Sequence, residues 1–518
     1  MKIIPYLSER TRPILVALLC VTVLGLVGCK AEKASNVDAT TTSASAESTT
    51  AASATTTTGA VSSLVASAAT LVKPVPMPNP HIPGYNFPEP EPTIIGWTQT
   101  NNQKAINLHG WGLWTALTEE TTPGGLRVFE TWAAPDDLFT ASTTPSPMAL
   151  EQTPRLTHRL KQPRQFEHGG RQLLLAPATT AAAGNPFSIQ VLVKYDPTAG
   201  THITTNNLFS ASNLTGMLTG GKTAIPDFPN PAISLKPVYH TLTTTAGGGQ
   251  RYFMIPTWPG SPALTFNSAK NMWVSKAFPN SLWKQCVWID IQAKGKGTGT
   301  GGVDTTCTAN GSSRTPANTY GVDEFIHFQL TAPEAAAAQP PAQAGDYSVL
   351  VAMHLTSREI TRWTWQTYWW VPNPDKPTAP SSPAIAADRP SQLTGAPRNY
   401  AHCTGYDFAN PATPLTGGNN NGQSIYCFNP YLEAPFTPPV LPDSIPGNTM
   451  NAGKPVKTPN DVGAQTNCMS CHAQANWNPN NVANSPDYTG DRYIDMNSPQ
   501  FKGTLKVDFL WSIPGNAH

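Results

Sequence analysis

Cys468-Met469-Ser470-Cys471-His472 are the five residues of this chain whose types and spacing can do a specific chemistry. Two thiols separated by two residues reach the two vinyl groups of one porphyrin, and a histidine directly after the second thiol is held beneath the iron as proximal ligand. The pattern reads C-x-x-C-H, the attachment signature of c-type haem, and it occurs once, so one covalent haem is expected. The same spacing arises in zinc sites and in thioredoxin-like thiol pairs. Haem c is attached outside the cytoplasm, so the N-terminus bears on the choice.

The chain opens with a basic stretch containing Lys2, Arg10 and Arg12, followed by a mostly apolar run from Ile14 to Val27. That run is short for a transmembrane span and has the layout of a secretory signal. It ends in Leu26-Val27-Gly28-Cys29, which resembles the lipobox of bacterial lipoproteins. Residues 1–28 are then a signal peptide, and Cys29 is the first mature residue and carries lipid. Lys30 follows where an aspartate would favour the inner membrane in enteric-type sorting, so the expected location is the outer membrane, facing the periplasm or the cell surface. Residues 29–75 are dominated by Ala, Ser and Thr and offer too little apolar surface to offset ordering entropy, so they read as a flexible tether.

The body after residue 75 is long enough to bury a sizeable core. Its expected division is 76–340, a β-rich domain, and 341–518, an aromatic-rich β and loop region carrying the haem. A net charge of +1 with 13% charged residues gives no basic field for nucleic acid. Proline at 52 residues and glycine at 39, beside 14 Trp and 14 Tyr, point to short strands joined by many rigid loops rather than to disorder. Strand patterns run over 187–194, 287–291, 325–330 and 347–355. The fold class is therefore mainly β, sandwich-like and loop-rich, with an irregular C-terminal haem segment. It is not a small all-helical cytochrome c, because prolines 479, 486, 499 and 514 interrupt the residues after the motif.

Once Cys20 leaves with the signal and Cys29 is lipidated, Cys286, Cys307, Cys403 and Cys427 remain for disulfides in an oxidising compartment. Short loops cost least to close, which favours Cys286–Cys307 and Cys403–Cys427. The second axial ligand decides the iron's behaviour, and three side chains are candidates: His354, His402 and Met496. Met353 and His354 are adjacent in a strand and point to opposite faces, so only one of them can meet the iron. The run Trp363-Thr364-Trp365-Gln366-Thr367-Tyr368-Trp369-Trp370 reads equally as a haem wall and as a core strand. Arg389 and Arg398 are candidates for the haem propionates or for ordinary ion pairs to Asp388 or Asp375.

Several stretches resemble proteobacterial proteins grouped as cytochrome c family proteins. They are His354 to Ile360, Trp363 to Trp370, Ala387-Asp388-Arg389-Pro390, Arg398-Asn399-Tyr400, Asn429-Pro430-Tyr431-Leu432-Glu433, the C-x-x-C-H and Asp508-Phe509-Leu510-Trp511-Ser512, with Trp111 to Leu117 earlier. The resemblance is carried mostly by 345–518. It implies one covalent haem and an exported protein, and no particular substrate.

Three function classes follow. The first is electron transfer between partner redox proteins by a lipid-anchored monohaem cytochrome. The second is a haem enzyme or small-molecule binder with an open iron face. The third is a β-sandwich binding lipoprotein with a structural haem. No serine-nucleophile elbow, H-E-x-x-H or phosphate loop is present.

Overall fold

The computed structural model describes residues 72–138, 189–244, 249–261, 265–267, 272–274, 278–338, 342–410, 412, 423–435, 445–451, 454–458, 468–480 and 494–518. The expected signal peptide, Cys29 and the tether up to residue 71 lie outside them. The body from Ala68 to His518 forms one compact unit. It is mainly β and loop-rich, as the composition predicts, and among the described residues no helix is long and apolar enough to cross a membrane.

The centre is a seven-stranded antiparallel sheet. Its strands are β1 (Ile189–Val191), β2 (Lys194–Tyr195), β3 (Ile233–Leu242), β7 (His327–Gln329), β8 (Tyr347–Ser357), β9 (Thr364–Trp370) and β10 (Tyr400–Thr404). The order is β1-β3-β8-β9-β10, with β2 added to β3 and β7 to β8. A smaller sheet of β4 (Tyr252–Pro256), β5 (Cys286–Asp290) and β6 (Thr319–Gly321) shares the same core. β8 and β9 are rich in β-branched and aromatic residues and are buried on both faces, which explains why their sequences read as near-continuous runs. The sheet also crosses residue 340: β3 from the expected first domain pairs with β8 from the expected second.

Directly paired residues of an antiparallel sheet project to the same face. Register therefore assigns the side chains. Lys236, His354, Thr367 and Cys403 form one row, with Ser234, Thr356 and Trp365 in the next row on that face. Met353, Tyr368 and His402 form a row on the opposite face, beside Leu355, Gln366 and Thr404.

The second of these faces is closed by helix α2 (Gln103–Thr118), which follows α1 (Glu91–Gln99). Asn102 caps α2 by accepting from Ala105 N. Trp114 stacks on Tyr368 at 4.3 Å between ring centroids, and Trp111 stacks on His402 at 4.1 Å. The approach is close because α2 carries glycines: a Cβ at Gly110 would lie 2.9 Å from His402 Nε2, and one at Gly112 would collide with the Tyr85 ring.

The first face is covered by the loop 423–435 and by the short helix α5 (Cys468–His472). Helices α3 (Pro197–Thr205) and α4 (Ala211–Thr219) and the ribbon β11 (Asn476–Trp477) with β12 (Leu505–Lys506) surround that helix in a second apolar cluster. Trp477 Nε1 donates to Thr215 Oγ1 on α4 at 3.2 Å. The disulfides are Cys286–Cys307 and Cys403–Cys427, the short-loop pairing.

Candidate haem-attachment site

Among the described residues, Cys468 and Cys471 are the two cysteines outside disulfides, and both are half-buried. One turn of helix brings their positions and His472 together, with Met469 and Ser470 turned into the protein. Cys468 Sγ donates to Cys427 O at 3.4 Å, so the first thiol lies against the disulfide that ties β10 to loop 423–435. Burial raises the pKa of both thiols, that of Cys471 to about 11, with Glu433 adding to the rise.

The C-terminal segment fixes this helix. His472 Nδ1 donates to Phe509 O at 2.8 Å, and Trp511 Nε1 donates to Cys471 O at 3.2 Å. Asp508 and Phe509 both have positive φ, 45° and 66°, a costly conformation for side chains of this kind that persists only when the surroundings enforce it. Asp508 is enforced by its carboxylate, which accepts from Phe228 N at 2.9 Å and from Arg358 Nε at 3.1 Å. The Asp508-Phe509-Leu510-Trp511 stretch thus holds a backbone carbonyl where it sets the tautomer of His472. With Nδ1 protonated, Nε2 carries the free lone pair, the arrangement in which a ligating histidine is oriented by its other nitrogen. Burial, opposed by the Phe509 bond, lowers the pKa of His472 to about 3, with the charges of Lys236 and His354 lowering it further.

Trp365 lies against His472 with ring centroids 4.0 Å apart. One pair along the same face stands His354, whose Nε2 donates to Glu433 Oε1 at 2.7 Å; both side chains are half-buried. The second oxygen of Glu433 accepts from Asn429 N. Asn429 in turn donates through Nδ2 to Thr367 Oγ1 at 2.7 Å and to Tyr368 O at 3.1 Å. Lys236, paired opposite His354, has its pKa lowered to about 8 by burial, against the opposing influence of Glu433 and Cys471. Lys236 carries no motif signal in the sequence and Glu433 only ends the resembling Asn429–Glu433 stretch; strand register and loop docking bring both beside the C-x-x-C-H.

The three candidate axial ligands part company. His354 shares the sheet face of the motif helix. His402 does not. It projects from the opposite face onto Trp111, fully buried, and neither ring nitrogen has a hydrogen-bond partner. Burial lowers its pKa to about 3. This corrects the expectation for His402: its alternation along β10 sends Cys403 toward the motif and His402 into the core. Met496 packs at the edge of the second cluster, where its carbonyl accepts from Lys506 Nζ at 3.1 Å.

For the arginines, the ion-pair alternative to Asp375 is the one found. Arg389 donates to Asp375 Oδ1 at 2.9 Å and to Pro374 O at 2.7 Å and lies over the Trp111 ring. It therefore belongs to the α2 side of the sheet, and Arg398 stands 3.9 Å from the same Asp375. The aromatic run divides: Trp365 lies against His472, whereas Tyr368 and Trp370 pack in the main core.

The residues present fit a covalent haem. The thiols are free of disulfides, the histidine after them has Nδ1 committed and Nε2 available, and the wall around them is apolar, with Trp365, Trp477, Phe509, Leu510 and Trp511 in one cluster. A structural zinc site takes four protein ligands. Among the described residues, no group of three or more His, Cys, Asp or Glu is placed to hold a metal ion. A separate polar cleft of about 1070 Å³, lined by Glu119, Arg127, Asp323, His327, Tyr347 and Gln392 among others, contains no motif residue. No family model matches the chain, no curated protein is detectably similar to it, and no solved structure is detectably similar in fold.

Proposed function

We propose that this chain is an exported, lipid-anchored monohaem c-type cytochrome that transfers electrons, anchored through Cys29 to the bacterial outer membrane. Cys468 and Cys471 would hold the porphyrin through thioethers, and His472 Nε2 would be the proximal ligand. A bound haem c supplies an iron that takes and gives one electron. The observation that carries the reading is the pairing of two disulfide-free thiols with a histidine whose Nδ1 is held by Phe509 O.

The protein's own residues have definable tasks. The Asp508–Phe509 turn fixes the tautomer of His472. Trp365 packs on the His472 ring and limits its rotation. The Cys403–Cys427 disulfide and Asn429 hold loop 423–435 against the sheet, so the Cys468 side of the site is rigid.

Haem staining of denaturing gels tests the assignment. Wild-type chain produced with haem-c maturation should stain, and Cys468→Ala/Cys471→Ala should not. Undiminished staining of the double variant would rule the assignment out. Cys29→Ala should move the protein from membranes to the soluble fraction, and persistent membrane association would argue for another anchor.

A second reading, small-molecule chemistry at the iron, is favoured by the His354–Glu433 pair on the motif's face of the sheet. Such a pair can supply and remove protons at a bound ligand.

A further inference from the structure

We infer that Glu433 is a positioning residue: by holding His354 Nε2 it withholds His354 from the sixth coordination position of a haem bound at His472, and so leaves that position to a small exogenous ligand of the carbon monoxide, oxygen or peroxide class. The inference rests on the haem reading and deepens it, naming what the iron would meet besides a redox partner.

Three observations carry it. First, register puts His354 on the face that bears the motif helix, next to the row of Trp365, which touches His472. Of the two candidate histidines, His354 is therefore the one placed to compete for the iron, whereas His402 lies on the far face. Second, Nε2, the ring nitrogen that reaches furthest from the strand, is not available in this arrangement: it donates to Glu433 Oε1 at 2.7 Å. A nitrogen that carries a proton and gives it to a carboxylate has no lone pair for a metal.

Third, the carboxylate is not a loose surface group that could drift away. Its other oxygen accepts from Asn429 N, and Asn429 is pinned to Thr367, the residue paired with His354 on the neighbouring strand. The loop and the strand thus form one clamp, built from the Asn429-Pro430-Tyr431-Leu432-Glu433 stretch. Lys236 on the other side of His354 offers a cation near the same carboxylate. Releasing His354 would break a charge-assisted hydrogen bond of a kind stronger than a neutral one.

The test is the visible spectrum and carbon monoxide binding of the full haem-loaded chain in five forms: wild type, Glu433→Gln, Glu433→Ala, His354→Ala and Glu433→Ala/His354→Ala. The inference expects wild type and His354→Ala to bind carbon monoxide promptly. Glu433→Gln keeps an acceptor oxygen and should follow wild type. Glu433→Ala frees Nε2, so its spectrum should turn low-spin and its carbon monoxide binding should slow at least about tenfold, a barrier higher by about 1.4 kcal/mol. The double variant should recover the wild-type spectrum and rate, which damage to the loop alone would not do.

A low-spin wild type that binds carbon monoxide only after His354→Ala would overturn the inference, as would Glu433→Ala behaving as wild type. A chain that carries no covalent haem at all shows itself by absence of the haem stain. That outcome removes the haem reading, and this inference with it.

Discussion

The two faces of the seven-stranded sheet are built from the same strands, residue by residue in alternation, yet they do opposite things with polar groups. On the α2 face, Glu359, His109, Tyr406 and Gln366 form a fully buried chain. His109 lies 3.1 Å from Glu359 Oε1 and 2.6 Å from the Tyr406 hydroxyl, and Gln366 donates to that hydroxyl at 2.8 Å. Ser357 completes the chain by donating to Glu359. Such a buried hydrogen-bond chain is strong in a low-dielectric interior and holds its members in one arrangement. On the motif face, His354, Glu433, Cys468, Cys471 and His472 are all half-buried, and His472 holds Phe509 O through Nδ1. A closed network locks the N-terminal helices onto the sheet, and an accessible one surrounds the candidate haem site. One residue step along a strand decides whether a histidine enters the core or meets the motif face.

The largest expected effect is on the closed face. Trp114→Ala removes a fully buried indole stacked on Tyr368 and its hydrogen bond to Pro397 O. It should cost about 3 to 5 kcal/mol in denaturant unfolding. A loss below about 1 kcal/mol would mean that α2 does not close this face as described.

Asp508→Ala should come next. It leaves Arg358 without its buried carboxylate and Phe228 N without its acceptor, for a loss of about 3 kcal/mol. It should also shift the reduction potential of the haem-loaded chain, because Phe509 O would no longer be held at His472 Nδ1. An unchanged potential would detach the turn from the site.

His402 gives a pH signature. Its folded pKa is about 3, whereas an unfolded histidine titrates near 6.5. Below about 6.5 the unfolded state binds a proton that the folded state refuses, so stability is full above that pH and falls as pH drops toward 3. The slope is about 1.4 kcal/mol per pH unit, or about 2 kcal/mol between pH 6.5 and 5. His402→Met should remove that share of the acid sensitivity, as read from urea midpoints at both pH values. An equal acid loss in the variant would assign the effect to other groups.

The smallest expected change in stability is at the accessible face. His354→Ala should shift unfolding by roughly 1 kcal/mol or less, since the pair is half-exposed. A cost comparable to Trp114→Ala would make His354 a core residue and erase the contrast between the faces.

Much of this was legible in the sequence. The motif spacing, the alternation that separates Met353 from His354, the disulfide pairing by loop length and the turn-rich β character all follow from local pattern. What was not legible depends on register. His402 and Cys403 are neighbours, and nothing local says which of them faces the motif; pairing with Tyr368 and Thr367 decides it. Glu433 meets His354 across 79 residues, and the group that orients His472 is a backbone carbonyl, which has no sequence identity at all.

The most direct test of the central claim is the intact mass of the purified chain after haem-c maturation, taken with its alkaline pyridine haemochrome spectrum and thiol alkylation of Cys468 and Cys471. The account predicts the added mass of one haem, a spectrum of two saturated vinyl groups and no alkylation at either cysteine. An unmodified mass with both thiols open to alkylation would contradict it.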